Sequence, residues 1–213
     1  MKANRVLIIG GGGHAKVLID SMLIGTVEVI GIVDEDRSKA GKYVLGIPVI
    51  GTEDVLADFC PETVWLVNGL GSIELPEKRT ELYLGMKKRG YSFLNIIHPA
   101  AIVSSDVTFG EGVQIMAGAV VQPGVHLSDN VILNTNSSVD HDCQVGCHSH
   151  IAPGVTLSGN IMIGEGVHIG TGTSVVQGVH IGSASVVGAG SLVLADVNPG
   201  ETVYGSPARV VSK

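Results

Sequence analysis

Val139-Asp-His-Asp-Cys-Gln-Val145-Gly-Cys-His-Ser-His-Ile151-Ala-Pro-Gly-Val-Thr-Leu157-Ser-Gly-Asn-Ile-Met-Ile163 carries an aliphatic residue at every sixth position. Followed outward, the spacing runs unbroken from Ile97 to Val193, through 17 positions that are all Ile, Val, Leu or Phe. A helix repeats near 3.6 residues and a plain strand near two, so neither explains a period of six. A parallel β-helix does. Each hexad supplies a short strand and a corner, and three hexads close a triangular coil. The sixth-position residue points into the prism and stacks on its equivalents above and below. The residue two before it shares the inward face by strand alternation. Ala101, Val107, Val113, Ala119, Val125, Val131, Ser137, Cys143, Ser149 and Val155 are all small or aliphatic. Glycine often follows the core residue, at Gly146, Gly164, Gly170, Gly182 and Gly188. The expectation is that it serves corners whose backbone angles glycine adopts without steric cost. A β-sandwich with glycine-rich turns would show irregular loop lengths instead.

Upstream of Ile97 the pattern changes. Arg5–Ile9 reads as a buried strand, followed by Gly10-Gly11-Gly12-Gly13-His14 and a helical pattern over Ala15–Leu23 with Val17, Leu18 and Met22 on one side. Val27–Val33 reads as a second strand ending in Asp34-Glu35-Asp36, which makes a βαβ unit with a glycine-rich first turn. An excursion over Tyr43–Ile50, a short helix over Glu53–Phe59, a third strand over Thr63–Val67 running into Gly69, and a helix over Glu77–Arg89 complete the module. The fold class is therefore α/β plus all-β. A small Rossmann-like domain of three or four strands spans 1–95, and a left-handed parallel β-helix spans 96–213, with Val197–Lys213 as a tail along its side.

The chain has 213 residues and a net charge of −7, with only 13 Lys and Arg. That argues against nucleic-acid binding. No stretch of about 18 apolar residues predicts a membrane span, and the N-terminal run reads as a strand rather than a signal peptide. Cys60, Cys143 and Cys147 are odd in number and lack CxxC spacing, which suits a reduced, cytoplasmic chain. Residues 107–195 contain no Lys or Arg, so the prism faces lack a charge coat. Such faces call for a partner surface, and a threefold ring of prisms is the closed arrangement expected.

Gly10-x-Gly12-x-x-Ala15, with Asp34 at the end of the next strand, matches a dinucleotide fingerprint. Backbone N–H groups at the start of a helix suit a diphosphate. A nucleotide-diphosphate substrate fits a short module with His14 in the loop better than NAD; a purely structural turn is the bland alternative. Among the histidines, His126, His150, His168 and His180 directly precede core residues and point outward from the prism. His150 and His168 are one 18-residue coil apart and should stack. His126, His148, His168 and His180 read as solvated or interface residues, His168 lying beside the expected cofactor groove. His141 stands apart: it lies at a corner between Asp140 and Asp142, and a carboxylate beside an imidazole fixes its tautomer and raises its basicity, as a general base requires. Cys143 reads as packing and Cys147 as a corner residue. Zinc held by histidines across an interface, as in β-helical carbonic anhydrases, would need a His-x4-His pair that is not seen here, and no metal is implied.

Taken together, the Gly13-His14-Ala-Lys16 loop, the Ile97-His-Pro99 entry, the Asn134-Thr…Val139-Asp-His-Asp-Cys143 corner, the His150-Ile-Ala-Pro-Gly154 coil, the Leu157-Ser-Gly159 turn and the Gly205-Ser-Pro-Ala-Arg209 tail resemble one family along nearly the whole chain. It is the bacterial hexapeptide-repeat sugar acetyltransferases. These include N-acetyltransferases of nucleotide-linked 4-amino-4,6-dideoxy sugars and O-acetyltransferases of sialic acid. The resemblance implies acetyl-CoA as co-substrate, His141 as general base, and Asp142 in place of an acidic residue, often Glu, that tunes it. It implies Gly12, Gly13 and His14 around the nucleotide diphosphate, Asp34, Glu35 and Gly69 near the nucleoside, and Asn134 on the acceptor side. His150 would contact the thioester region and the Gly159 N–H the acetyl carbonyl, while Thr171 and Ala189 would line the pantetheine and adenine groove between prisms. The implied reaction is direct N-acetylation, from acetyl-CoA to the 4-amino group of a nucleotide-linked 4-amino-4,6-dideoxy sugar, by a cytoplasmic homotrimer. O-acetylation of sialic acid, or a non-catalytic nucleotide-binding scaffold, are the alternatives.

Overall fold

The computed structural model describes residues 5–25 and 27–211. Residues 1–4, at the head of the expected first strand, and 212–213, at the end of the expected tail, lie outside them. The N-terminal part is built on a sheet of β1 (Arg5–Ile9), β2 (Glu28–Val33), β3 (Tyr43–Val44), β4 (Ile47–Gly51), β5 (Trp65–Asn68) and β6 (Ser92–Phe93). Its order is β3-β4-β2-β1-β5-β6. All pairings are parallel except the β3–β4 hairpin. Six strands replace the three or four expected. Two of the extra ones, β3 and β6, are only two residues long, too short to show any periodicity.

Helix α1 (Gly13–Leu23) buries Ala15, Leu18, Ile19 and Met22 against one side of the sheet. Val17, expected on the buried side, is 42% exposed. Helix α2 (Glu77–Lys88) covers the other side with Tyr83 and Met86, packed on Leu7, Leu66 and Phe93. The Glu53–Asp58 segment is a 3-10 helix.

From Ile96 onward, two-residue strands recur every six residues and form three parallel faces. The first face begins Ile96–Ile97, Gln114–Ile115, Ile132–Leu133, His150–Ile151, His168–Ile169, Val186–Val187. The second begins at Ile102–Val103 and the third at Thr108–Phe109. The inward positions are closed from solvent throughout the middle of the prism, including Ser149, Thr173 and Ser185. These hydroxyls donate to the carbonyls of Gly164, Gly188 and Asn198 one coil up, which satisfies a polar group that burial would otherwise penalise. The tail extends the first face instead of lying beside it. Thr202–Gly205 pairs parallel with Val186–Val187, and Ala208–Val210 turns back antiparallel.

The corner glycines require a correction. Gly146, Gly164, Gly170, Gly182 and Gly188 do not have positive φ. A Cβ on Gly146 would lie 2.5 Å from the Gly164 carbonyl carbon of the next coil, so these residues are glycine because coils approach closely there. Left-handed backbone occurs instead three residues before each core position, without a break from Gly112 to Gly190. Asn130, Asn136, Asp142, His148, Asn160 and Ala184 adopt it alongside the glycines.

The α/β part seats on the first face. Ile96, Met116 and Ile132 join the core of α1. Fully buried Arg79 donates to the carbonyls of Asn68 and Leu70, and more distantly to that of Asn130 on the prism. Lys87 pairs with Glu111 at 2.7 Å.

Candidate active site

His141 stands on the edge that joins the second and third faces. Its Nδ1 lies 2.8 Å from Asp142 Oδ2. The Asp142 carboxylate holds the imidazole pKa above its ordinary value, with a further contribution from the charge of Asp140. A carboxylate accepts only, so Nδ1 carries the proton and Nε2 presents its lone pair. Directly above in the next coil is Gly159, where a Cβ would lie 2.5 Å from Nε2. Glycine is what leaves that nitrogen approachable. Asp142 takes φ +60°, and the left-handed backbone swings its carboxylate back onto the ring.

A second group gathers on the edge between the first and second faces, under the α/β part. His150 Nδ1 is 2.9 Å from Ser72 Oγ and its Nε2 is 3.1 Å from Asn134 Nδ2. Asn134 Oδ1 accepts from the Thr135 N–H, so the amide donates to His150. His150 is therefore the Nδ1–H tautomer, and burial keeps its pKa well below the usual histidine value. His168 stacks edge-on against it with ring centroids 5.1 Å apart, as the 18-residue spacing predicts. Both rings point outward from the prism yet are only 5% exposed, because the α/β part covers them. His148, read as solvated or at an interface, is 4% exposed, wedged between Asn130 and Tyr83. No local signal could have shown this, since the cover comes from residues some 70 positions away.

His14 donates from Nε2 to Gln114 Oε1 at 2.7 Å; the Gln114 amide is already committed to the Asn68 carbonyl. Burial, with the Arg79 charge nearby, lowers the His14 pKa to about 4. It is thus a neutral ring whose Nδ1 is an acceptor, a partner for hydroxyl or amine hydrogens rather than for phosphate.

Two cavities flank the glycine-rich turn. One, of about 640 Å³, is lined by Gly13, His14, Ser72, Asn134 and His150. The other, of about 680 Å³, is lined by Gly10, Gly11, Gly12, Asp34, Glu35 and Met86. Asp34 accepts from the Gly11 and Asp36 N–H groups and from Lys39, so its carboxylate braces the turn. These contacts hold its pKa below the usual value against the opposing effect of burial. Gly69 lines neither cavity; a Cβ there would strike the Gly10 carbonyl. Thr171 and Ala189 are exposed and stand above Asn134 on the same edge, one face away from His141 and Gly159. Expected site residues thus fall into two groups on different edges. Ser72, Gln114 and Arg79 join the second group through hydrogen bonds to His150, His14 and Leu70, and carried no motif of their own.

Residues 5–81 match the family model described as the PglD N-terminal domain. The acetyltransferase domain of PglB from Neisseria gonorrhoeae, solved with acetyl coenzyme A, is 38% identical; the alignment covers 98% of this chain and 100% of that one, with a TM-score of 0.90. PerB from Caulobacter crescentus, solved with CoA and GDP-perosamine, is 37% identical over 100% and 99% of the two chains, also with a TM-score of 0.90. That enzyme has also been solved with the same ligands as its H141N and H141A mutants. GDP-perosamine N-acetyltransferase of Escherichia coli O157:H7 is 29% identical over 95% of this chain and 85% of its own length. The chain belongs to the PglD-type hexapeptide-repeat N-acetyltransferases, which use acetyl-CoA to acetylate nucleotide-linked amino sugars.

Proposed function

We propose that this chain transfers acetyl from acetyl-CoA to the 4-amino group of a nucleotide-linked 4-amino-4,6-dideoxy sugar, with His141 as general base. The observation that carries the reading is the His141 ring itself, protonated at Nδ1 toward Asp142 and open at Nε2 beside Gly159. The amine nitrogen attacks the acetyl carbonyl carbon as Nε2 takes its proton. The C–S bond then breaks, and the imidazolium returns the proton to the departing thiolate. The Gly159 N–H stabilises the oxyanion. No acyl-enzyme is needed, because a neutral amine is already a good nucleophile and positioning supplies much of the rate.

The acceptor fills the paired cavities. Its nucleoside sits beside Asp34 and Glu35, its diphosphate crosses Gly12 and Gly13, and its sugar reaches His14 and Asn134, where the His14 lone pair accepts from the sugar. His150, on the same wall, meets the thioester end of acetyl-CoA. Within one chain this sugar end and His141 are separated by a whole face, up to about 20 Å of extended backbone. A homotrimer removes that gap: one copy presents the sugar beside Asn134, its neighbour presents His141 and Gly159. CoA runs between them along Thr171 and Ala189. Exposed Ile102 and Met162 on the second and third faces supply apolar surface for such packing. Three free cysteines and the need for acetyl-CoA suit the cytoplasm. Among the described residues, no helix is long and apolar enough to cross a membrane.

The test is free-thiol release from acetyl-CoA with UDP-, GDP- and dTDP-linked 4-amino-4,6-dideoxy sugars, and free sialic acid, as acceptors. Turnover on a nucleotide amino sugar is expected. Turnover on sialic acid alone would overturn the acceptor assignment.

A further inference from the structure

The two cavities share one residue. Lys78, in the first turn of α2, lines both the cavity that holds His14 and the cavity that holds Asp34. Among the described residues it has no ion-pair partner, whereas Lys39 is held by Asp34 at 2.8 Å and Arg89 by Glu53 at 2.5 Å. Arg79 is spent on backbone carbonyls. The remaining charged side chains on the two walls, Glu35, Glu74, Glu77 and Glu81, are acidic. An anion is therefore repelled along most of the groove and attracted at its midpoint. The backbone agrees with this. Gly12 and Pro76 begin α1 and α2, neither start carries a side-chain cap, and both line the groove. The first N–H groups of each helix have no intrahelical acceptor.

We propose that Lys78 clamps the diphosphate of the acceptor where it passes from one cavity to the other, so that the enzyme prefers a nucleotide-linked sugar over a free one. The proposal rests on the nucleotide-sugar reading of the groove. A lysine suits the task, being a compact charge on a flexible stem that follows the phosphates as the ligand settles. Its ammonium makes charge-assisted hydrogen bonds to them.

The experiment is calorimetric titration of the enzyme with UDP, GDP and dTDP. For the diphosphate that binds, the matching nucleoside is titrated too, against wild type, K78M and K78R. K78M is expected to weaken the diphosphate by about 10- to 100-fold, the range of a lost charge-assisted contact. It should leave nucleoside affinity within about twofold. K78R should recover most of the loss. In steady state, K78M should raise KM for the nucleotide sugar by a similar factor with kcat nearly unchanged. Unchanged diphosphate binding in K78M, or equal losses for diphosphate and nucleoside, overturns the clamp. Wild-type protein that binds none of the three diphosphates overturns the nucleotide-sugar reading itself.

Discussion

At the scale of single residues, the chemistry turns on which nitrogen of each histidine carries a proton. His141 is half-exposed and leans on Asp142; His14 and His150 are buried and neutral, each with its donor nitrogen assigned by a neighbour. Of these three, His141 alone is exposed enough to cycle a proton with solvent and substrate. H141A should lower kcat by about 10²- to 10⁴-fold, the usual worth of a positioned base. An exposed side chain lost from a corner should cost stability no more than about 0.5 kcal/mol. Calorimetric melting alongside thiol release checks both, and near-normal turnover would remove His141 from the mechanism. The base works only when deprotonated, and Asp142 raises its pKa, so the acid limb of the kcat profile should lie above that of an ordinary histidine. D142N should move that limb to lower pH and reduce the plateau by about tenfold or more. A limb that does not move would mean another group controls the rate. The pairing of His141 with Asp142 was legible in the sequence because the two residues are adjacent in the chain. Burial of His148, His150 and His168 was not, since it depends on surfaces brought in from the α/β part.

At the scale of the hexad, two kinds of glycine alternate for different reasons. Gly172 has φ +70° and open space where a Cβ would go; Gly146 has ordinary φ and the backbone of the next coil against it. G172A should therefore cost about 1 kcal/mol, from left-handed strain alone. G146A must push two coils apart and should cost about 2–3 kcal/mol or more. Urea unfolding of the two variants would rank them, and equal costs would contradict the distinction. The period of six was plain because inward side chains are restricted to apolar or small types at every step. The left-handed column was hidden because it is a property of the backbone that Gly, Asn, Asp, His and Ala all satisfy here. The prism and the βαβ start were thus readable, whereas the reason for the corner glycines was not, and strands of two residues leave no periodic trace.

For the whole molecule, the decisive fact is that Asn134 and His150, assigned above to the substrates, stand on a different edge from His141. If neighbouring copies complete each site, two defective variants should rescue one another. Gly12→Asp puts a carboxylate in the turn proposed to carry the diphosphate, and H141A removes the proposed base. Each alone should be inactive. Co-assembled in equal amounts, about a quarter of the sites should pair an intact acceptor groove with an intact base. Activity near that fraction after co-expression supports a shared site; none would assign both halves to one chain. The far end of the prism has its own significance. Left bare, the row of N–H and C=O groups beyond Val186–Val187 would be a template for another strand. Thr202–Gly205 occupies it, and Ala208–Val210 returns in the opposite direction. An end-on neighbour would need to continue a parallel ladder, and it meets a reversed one. The C-terminal hairpin thus works as a terminator for one of the three ladders on which coil stacks upon coil, closing the first face to a parallel continuation by another molecule.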